Sequence, residues 1–163
     1  MTRRFCLGFA FSPEEDYSVL LVRKTKGYHI GCLNGLGGVV KPGESPVEGM
    51  AREFREESGY DIPVEGWHEG AILLAEVPLG SPFGTAPAWS MSVFRARLPV
   101  PYLPLPTVDE AGPLSLMWLG DLHPRHKFAP YVRSLVWLLQ EQFEHGLAHT
   151  AILYAQEHRV PEA

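Results

Sequence analysis

The segment from Gly38 to Tyr60 constrains this chain more than any other, because it specifies a helix at both ends and loads one side of it with carboxylates. Ser45-Pro46-Val47-Glu48 offers a hydroxyl at the N-cap, a proline at the first helical position, where no N–H is needed, and a glutamate three residues after the serine. Val47, Met50, Ala51 and Phe54 recur at the spacing of a buried helical stripe, and Gly59 supplies the left-handed residue that ends a helix. The pattern predicts a helix from Pro46 to Ser58.

Glu53, Glu56 and Glu57 stand at i, i+3 and i+4, so their carboxylates leave the same side of that helix. They repel one another, and near a helix C-terminus the macrodipole opposes them as well. A hard divalent cation, which prefers carboxylate oxygen and bridges to phosphate, offsets that repulsion. The alternative is a solvated acidic face balanced by Arg52 and Arg55. Just upstream, the glycine-dense run Lys26 to Gly38 is neither helix nor unbroken strand. Its exposed backbone groups either cradle phosphate and donate a carbonyl to a metal, or serve only a tight turn.

Gly38, five residues, Glu44, seven residues and Arg52-Glu53-Phe54-Arg55-Glu56-Glu57-Ser58-Gly59-Tyr60 resemble the signature of the Nudix hydrolases at every fixed position. The resemblance implies an α/β/α sandwich with a mixed central sheet, the signature helix packed on one face. It implies Mg²⁺, with Mn²⁺ as the alternative, held by Glu53, Glu56, Glu57 and the carbonyl of Gly37 or Gly38. Glu44 and Arg52 would buttress the loop and helix through an ion pair. Glu110, before the strand ending Met117-Trp118-Leu119, would be a fourth carboxylate ligand or orient water, or else an exposed turn residue. Arg23 and Lys24, at the end of a strand, would face the phosphates or simply mark the strand end.

Leu33-Asn34-Gly35-Leu36-Gly37-Gly38 is similar to the Trp-Asn-Gly-Phe-Gly-Gly run of the MutT-like branch, in particular the animal 8-oxo-dGTP hydrolases. By that resemblance Asn34 reads the base, an amide having both donors and an acceptor; the alternative is a turn asparagine bonded to its own backbone. Those enzymes also use two adjacent aspartates before the last helix. Here the corresponding region reads Lys127-Phe128-Ala129-Pro130-Tyr131, and the pair is absent.

A length of 163 residues suits one domain over 1–163, and no long uncharged apolar run offers a membrane span. The net charge of −5 argues against a polynucleotide-binding face but not against a small nucleotide whose phosphates are met by metal and local cations. The basic start is interrupted by Ser12-Pro13-Glu14-Glu15-Asp16, unlike a signal peptide, so the cytoplasm is expected, with Cys6 and Cys32 reduced. His123, His126, His145, His149 and His158 show no zinc spacing, and Trp67, Trp89, Trp118 and Trp137 read as core.

Strands are predicted at Arg4–Phe11, Tyr17–Arg23, Ala71–Val77, Trp89–Leu98 and Leu114–Leu119, and a second amphipathic helix at Pro130–Glu144. Pro99 to Pro106 reads as an extended connection, and His149 to Glu157 is ambiguous except that similar enzymes close with a strand there. The expected reaction is metal-dependent hydrolysis of a nucleoside triphosphate to monophosphate and pyrophosphate, with Glu57, Glu56 and Glu53 as the catalytic carboxylates and Glu57 or Glu56 accepting the proton. ADP-ribose or nucleotide-sugar pyrophosphatase is the alternative, and a noncatalytic nucleotide-binding regulatory domain a third.

Overall fold

Strand β1 (Arg3–Phe11) sets the layering. Its side chains alternate across the sheet, so Leu7, Phe9 and Phe11 join one core and Cys6 and Ala10 the other. The computed structural model describes residues 3–12, 18–27, 29–75, 89–99, 112–123, 125–147 and 150–155. After β1 come β2 (Ser18–Arg23), β3 (Leu33–Asn34), α1 (Pro46–Ser58), β4 (His68–Ala75), β5 (Trp89–Arg97), β6 (Leu114–Trp118), α2 (Val132–Glu144) and β7 (Ala151–Ala155). One-turn 3-10 helices stand at Val64–Gly66 and Leu119–Asp121.

The sheet runs β3-β2-β1-β5-β4-β7, with β6 paired to β2. It is mixed: β1 is parallel to β5 and β4 to β7, whereas β1–β2, β2–β3, β2–β6 and β4–β5 are antiparallel. Val132, Leu135, Val136 and Leu139 of α2 cover the face bearing Leu7, Phe9 and Phe11. Met50 and Phe54 of α1, with Ile62 and Trp67, cover the opposite face beside Cys6, Ala10, Leu20 and Val22. The expected α/β/α sandwich is therefore the fold. At Gly8 an added Cβ would lie 2.6 Å from the Met50 sulfur, so the missing side chain is what lets α1 settle onto β1.

The strands and α1 fall where the sequence places them, with shifts at the ends that have local causes. Helix α2 starts at Val132 instead of Pro130 because Tyr131 is left-handed, φ 71°, and cannot belong to it. Leu119 leaves β6 to begin a 3-10 turn, and β4 starts earlier, at His68. The ambiguous tail forms β7. Trp67 is core and Trp89 packs partly buried against it, but Trp118 and Trp137 are 55% and 51% exposed, which corrects their reading as core. Of the proline-rich connection only Pro99 is described, and Glu76 and Val77 lie outside the described residues. Among the described residues no helix is long and apolar enough to cross a membrane.

Candidate active site

Helix α1 is held at both ends as its sequence requires. Ser45 Oγ accepts from Glu48 N–H while Glu48 Oε2 accepts from Ser45 N–H at 2.8 Å, closing the capping box. Gly59, at φ 74°, donates its N–H to Arg55 O at 2.9 Å. The helix is thus rigid where Arg52 and the three glutamates leave it.

Arg52 is the hub. Its Nε donates to Glu44 Oε1 at 2.6 Å and its Nη2 to Glu44 Oε2 at 3.1 Å, a two-pronged pair. Nη1 donates to Glu53 Oε1 at 2.8 Å and to Glu56 Oε2 at 3.0 Å, and Nη2 also reaches Val39 O at 3.1 Å. The Arg52 hydrogen bond, and then the Lys41 N–H at 2.9 Å, hold the Glu44 carboxyl down to about 2. The Glu44 bond in turn raises the Arg52 pKa further above its ordinary value. Carboxylate repulsion on α1 is therefore offset in part by the protein itself, which the spacing of the glutamates alone does not disclose.

The glycine strand faces this helix. Residues 36, 38 and 40 bond to β1: Gly8 N–H donates to Leu36 O, Cys6 N–H to Gly38 O at 2.9 Å, and Val40 N–H to Arg4 O. Residues 37 and 39 face the other way, Gly37 N–H donating to Glu57 Oε2 at 2.8 Å and Val39 O accepting from Arg52. A Cβ on Gly38 would lie 2.7 Å from the Glu53 carboxylate, and one on Gly37 would strike Cys6 O. Glycine is needed here for close approach.

Burial pushes the Glu57 carboxyl up, with the Gly37 N–H and the Lys24 charge opposing and Glu53 and Glu56 adding to the rise. Burial likewise pushes the Cys6 thiol, beneath Gly38, up to about 11. Both cysteines are free.

The structure therefore brings Glu44, Arg52, Glu53, Glu56, Glu57, Gly37, Gly38 and Lys24 together. Arg23 instead braces the glycine turn, its Nη1 donating to Gly31 O at 2.9 Å. Asn34 Oδ1 accepts from Gly35 N–H at 2.9 Å, the turn role, and among the described residues its amide nitrogen has no partner. Glu110 lies outside the described residues. Two side chains escaped the sequence reading. Lys41 Nζ stands 4.0 Å from Glu56, and its place between Gly38 and Glu44 was the available signal. Phe128 is brought opposite Leu33 by a parallel bridge, in which Leu33 N–H donates to Lys127 O and Ala129 N–H to Leu33 O; nothing local announces that pairing.

Among the described residues, the one set of His, Cys, Asp or Glu ligand atoms within 4.8 Å of one another is Glu141, Glu144 and His145 at the exposed end of α2. The α1 carboxylates do not meet that closely.

The NUDIX domain family model matches residues 3–138. The chain belongs to the Nudix family. The expectation of a Nudix hydrolase is met at the level of that family. A segment of 61 residues is 38% identical to an oxidized purine nucleoside triphosphate hydrolase of Mus musculus, and it spans 37% of this chain and 37% of the mouse protein. Among solved structures, a NUDIX hydrolase from Nitrosomonas europaea superposes with a TM-score of 0.68 at 18% identity, over 94% of this chain and 80% of that one. An ADP-ribose pyrophosphatase from Streptococcus suis does so at 0.61 and 16% identity, over 93% and 99%. At such identities these two speak for the Nudix fold alone.

Proposed function

We propose that this chain is a metal-dependent pyrophosphohydrolase that cleaves a nucleoside triphosphate to the monophosphate and pyrophosphate. The observation that carries the reading is the facing of two elements, Gly37 N–H on Glu57 and Val39 O on Arg52, across a gap that only glycine leaves open.

The donors present fit a hard divalent cation. Glu53 and Glu56 share a single guanidinium nitrogen, Glu57 is half-buried, and among the described residues nothing donates to the Gly37 carbonyl, whereas that of Gly38 already accepts from Cys6. Glu53, Glu56, Glu57 and the Gly37 carbonyl would hold Mg²⁺ or Mn²⁺. Bound there, such an ion lowers the pKa of a water and offsets charge on phosphate oxygens. Glu57 would take the proton of the attacking water, directly or through a second water. Arg52 fixes Glu53 and Glu56, and Lys24 adds positive charge for the phosphates beside Glu57. Glu110, outside the described residues, is proposed from the family resemblance alone as a further carboxylate ligand or a residue that orients water.

Asn34 receives the base by hydrogen bonding, its amide having both donors and an acceptor. The mouse relative's name supports a purine triphosphate, oxidised forms such as 8-oxo-dGTP included. ADP-ribose or a nucleotide sugar is the second reading, favoured by the absence of the aspartate pair at Lys127-Phe128-Ala129-Pro130-Tyr131. On either reading the whole chain acts as one Nudix unit on small nucleotides in the cytoplasm, without polynucleotide partners.

The deciding assay incubates the protein with Mg²⁺ and a panel of normal and oxidised dNTPs, ADP-ribose and nucleotide sugars, and identifies the released phosphate species. Monophosphate plus pyrophosphate from the triphosphates supports the first reading, and AMP from ADP-ribose alone supports the second. Binding of nucleotide with no turnover of any substrate would leave a noncatalytic regulatory domain. Asn34→Ala should change relative rates among bases, whereas an equal fall for all of them removes Asn34 from base reading.

A further inference from the structure

We propose that the end of β5 forms a second ligand site, taking a small oxyanion, phosphate or carboxylate, carried on a flat apolar body. Phe94, Ala96 and Leu98 point into the core under α1, so Arg95 and Arg97 emerge on the opposite face of the sheet, away from the acidic helix. Their guanidinium carbons lie 4.4 and 4.2 Å from the centroid of the Phe143 ring, which packs edge-on against Phe11 at 5.4 Å. Two like charges are thus held over one ring, and among the described residues neither has an ion pair with a carboxylate.

The donors are underused. Arg95 Nη2 donates to Leu147 O at 3.3 Å and Arg97 Nη1 to Ser12 O at 2.9 Å, and the buried Nε of Arg95 has no acceptor. A guanidinium carries five N–H donors, so most of this fork is available. His68, opposite Arg95 in the β4–β5 ladder, adds a third nitrogen base. Beside this group a cavity of about 300 Å³ is lined by Arg97, His68, Phe143, Ile62, Pro63 and Asp61 among others. Asp61, a carboxylate on that wall, makes no ion pair with Arg97 within 4 Å.

An oxyanion at the mouth of the cavity would accept from the guanidinium forks, the geometry arginine serves best. The remainder of the ligand would lie on Ile62, Pro63 and Phe143. Burial and the neighbouring Arg97 charge already lower the Arg95 pKa, the direction a missing counter-anion produces.

Titration of the ¹⁵N-labelled full chain with phenyl phosphate, benzoate and inorganic phosphate tests this, in EDTA and with NaCl matching ionic strength. Saturable shifts at Gly66, His68 and Phe143 are expected, with phenyl phosphate binding more tightly than inorganic phosphate. The order of phenyl phosphate and benzoate identifies the headgroup. Arg97→Gln should weaken binding about tenfold, the loss of a charge-assisted hydrogen bond, with melting temperature and nucleotide turnover unchanged. Should that variant unfold, Arg97→Lys, which keeps the charge and loses the fork, should weaken binding in the same direction. Absence of saturable shifts at those residues overturns the proposal, as do shifts confined to Gly37 and Gly38, or shifts undiminished in a folded Arg97 variant.

Discussion

Helices α1 and α2 are each 13 residues long, and each presents metal-ligating side chains at i, i+3 and i+4 near its end: Glu53, Glu56 and Glu57 in one, Glu141, Glu144 and His145 in the other. The α2 set is the tighter, its ligand atoms within 4.8 Å of one another, yet all three residues are exposed. Their partners lie on the same helix: Gln140 Nε2 on Glu144 at 2.9 Å and His145 on Glu141 at 3.3 Å. The α1 set has Glu53 and Glu56 joined by Arg52, and faces a glycine-rich segment whose Gly37 N–H holds the half-buried Glu57. Spacing gathers charge on either helix. What turns α1 into a candidate site is an opposing backbone that holds Glu57 through Gly37 N–H and an arginine that fixes Glu53 and Glu56.

The largest effect that tests this contrast is on turnover. Glu57→Gln should lower the rate of nucleotide hydrolysis by about 10²- to 10⁴-fold, the usual worth of a positioned base. Glu144→Gln should leave it within about twofold. Comparable losses in both variants would mean that the opposing strand is not what makes the difference.

Stability comes next. Arg52→Ala strands Glu44 and Glu53, whose side chains are 21% and 17% exposed, and should cost about 3 kcal/mol in urea unfolding, the low end for breaking a buried pair. Arg55→Ala, on the exposed side of the same helix, should stay within about 0.5 kcal/mol. Lost activity with unchanged melting in Arg52→Ala would take the structural role away from Arg52.

How much of this was legible depended on whether a feature is local. Both ends of α1 are written in adjacent residues, Ser45-Pro46-Val47-Glu48 and Gly59, so its span was readable. The strands alternate or are richly apolar, and their positions followed. Topology was carried by the family resemblance, because no local pattern dictates that β1 pairs in parallel with β5 across most of the chain. At the site, the ion pair of Glu44 and Arg52 was foreseen, but the choice between Gly37 and Gly38 required knowing which alternate residues of the glycine strand bond to β1. Phe128 meets Leu33 through a bridge between segments far apart in sequence, and no spacing rule reports that.

Acidity separates two carboxylates within the same site. Burial raises the folded-state pKa of Glu57 above its ordinary 4.5. Its contribution is therefore complete below that value and is lost as pH rises through the raised one. Mg²⁺ competes with the proton, so the melting-temperature gain on adding Mg²⁺ should grow as pH rises through the Glu57 pKa and vanish with EDTA. Glu44, held down to about 2, behaves oppositely: its stabilisation is full above 4.5 and is lost as pH falls toward 2. Acid unfolding should therefore lose its steep limb in Arg52→Ala. A gain from Mg²⁺ that is flat with pH would detach Glu57 from the metal.

The smallest expected effects concern how the two helices begin. Ser45→Ala opens the capping box of α1 and should cost about 1 kcal/mol. Helix α2 has no side-chain cap and starts after Tyr131 in the left-handed region. Tyr131→Gly relieves that conformation, worth about 1 kcal/mol or more for a non-glycine residue, but frees the unfolded chain by about 0.4–1 kcal/mol. These two backbone effects nearly cancel, so a shift of the urea midpoint reports what the Tyr131 side chain itself contributes. A loss as large as that of Ser45→Ala would mean that the Tyr131 side chain, 39% exposed, holds α2 in place through its packing. The start of α2 would then rest on a tertiary contact where that of α1 rests on its own sequence.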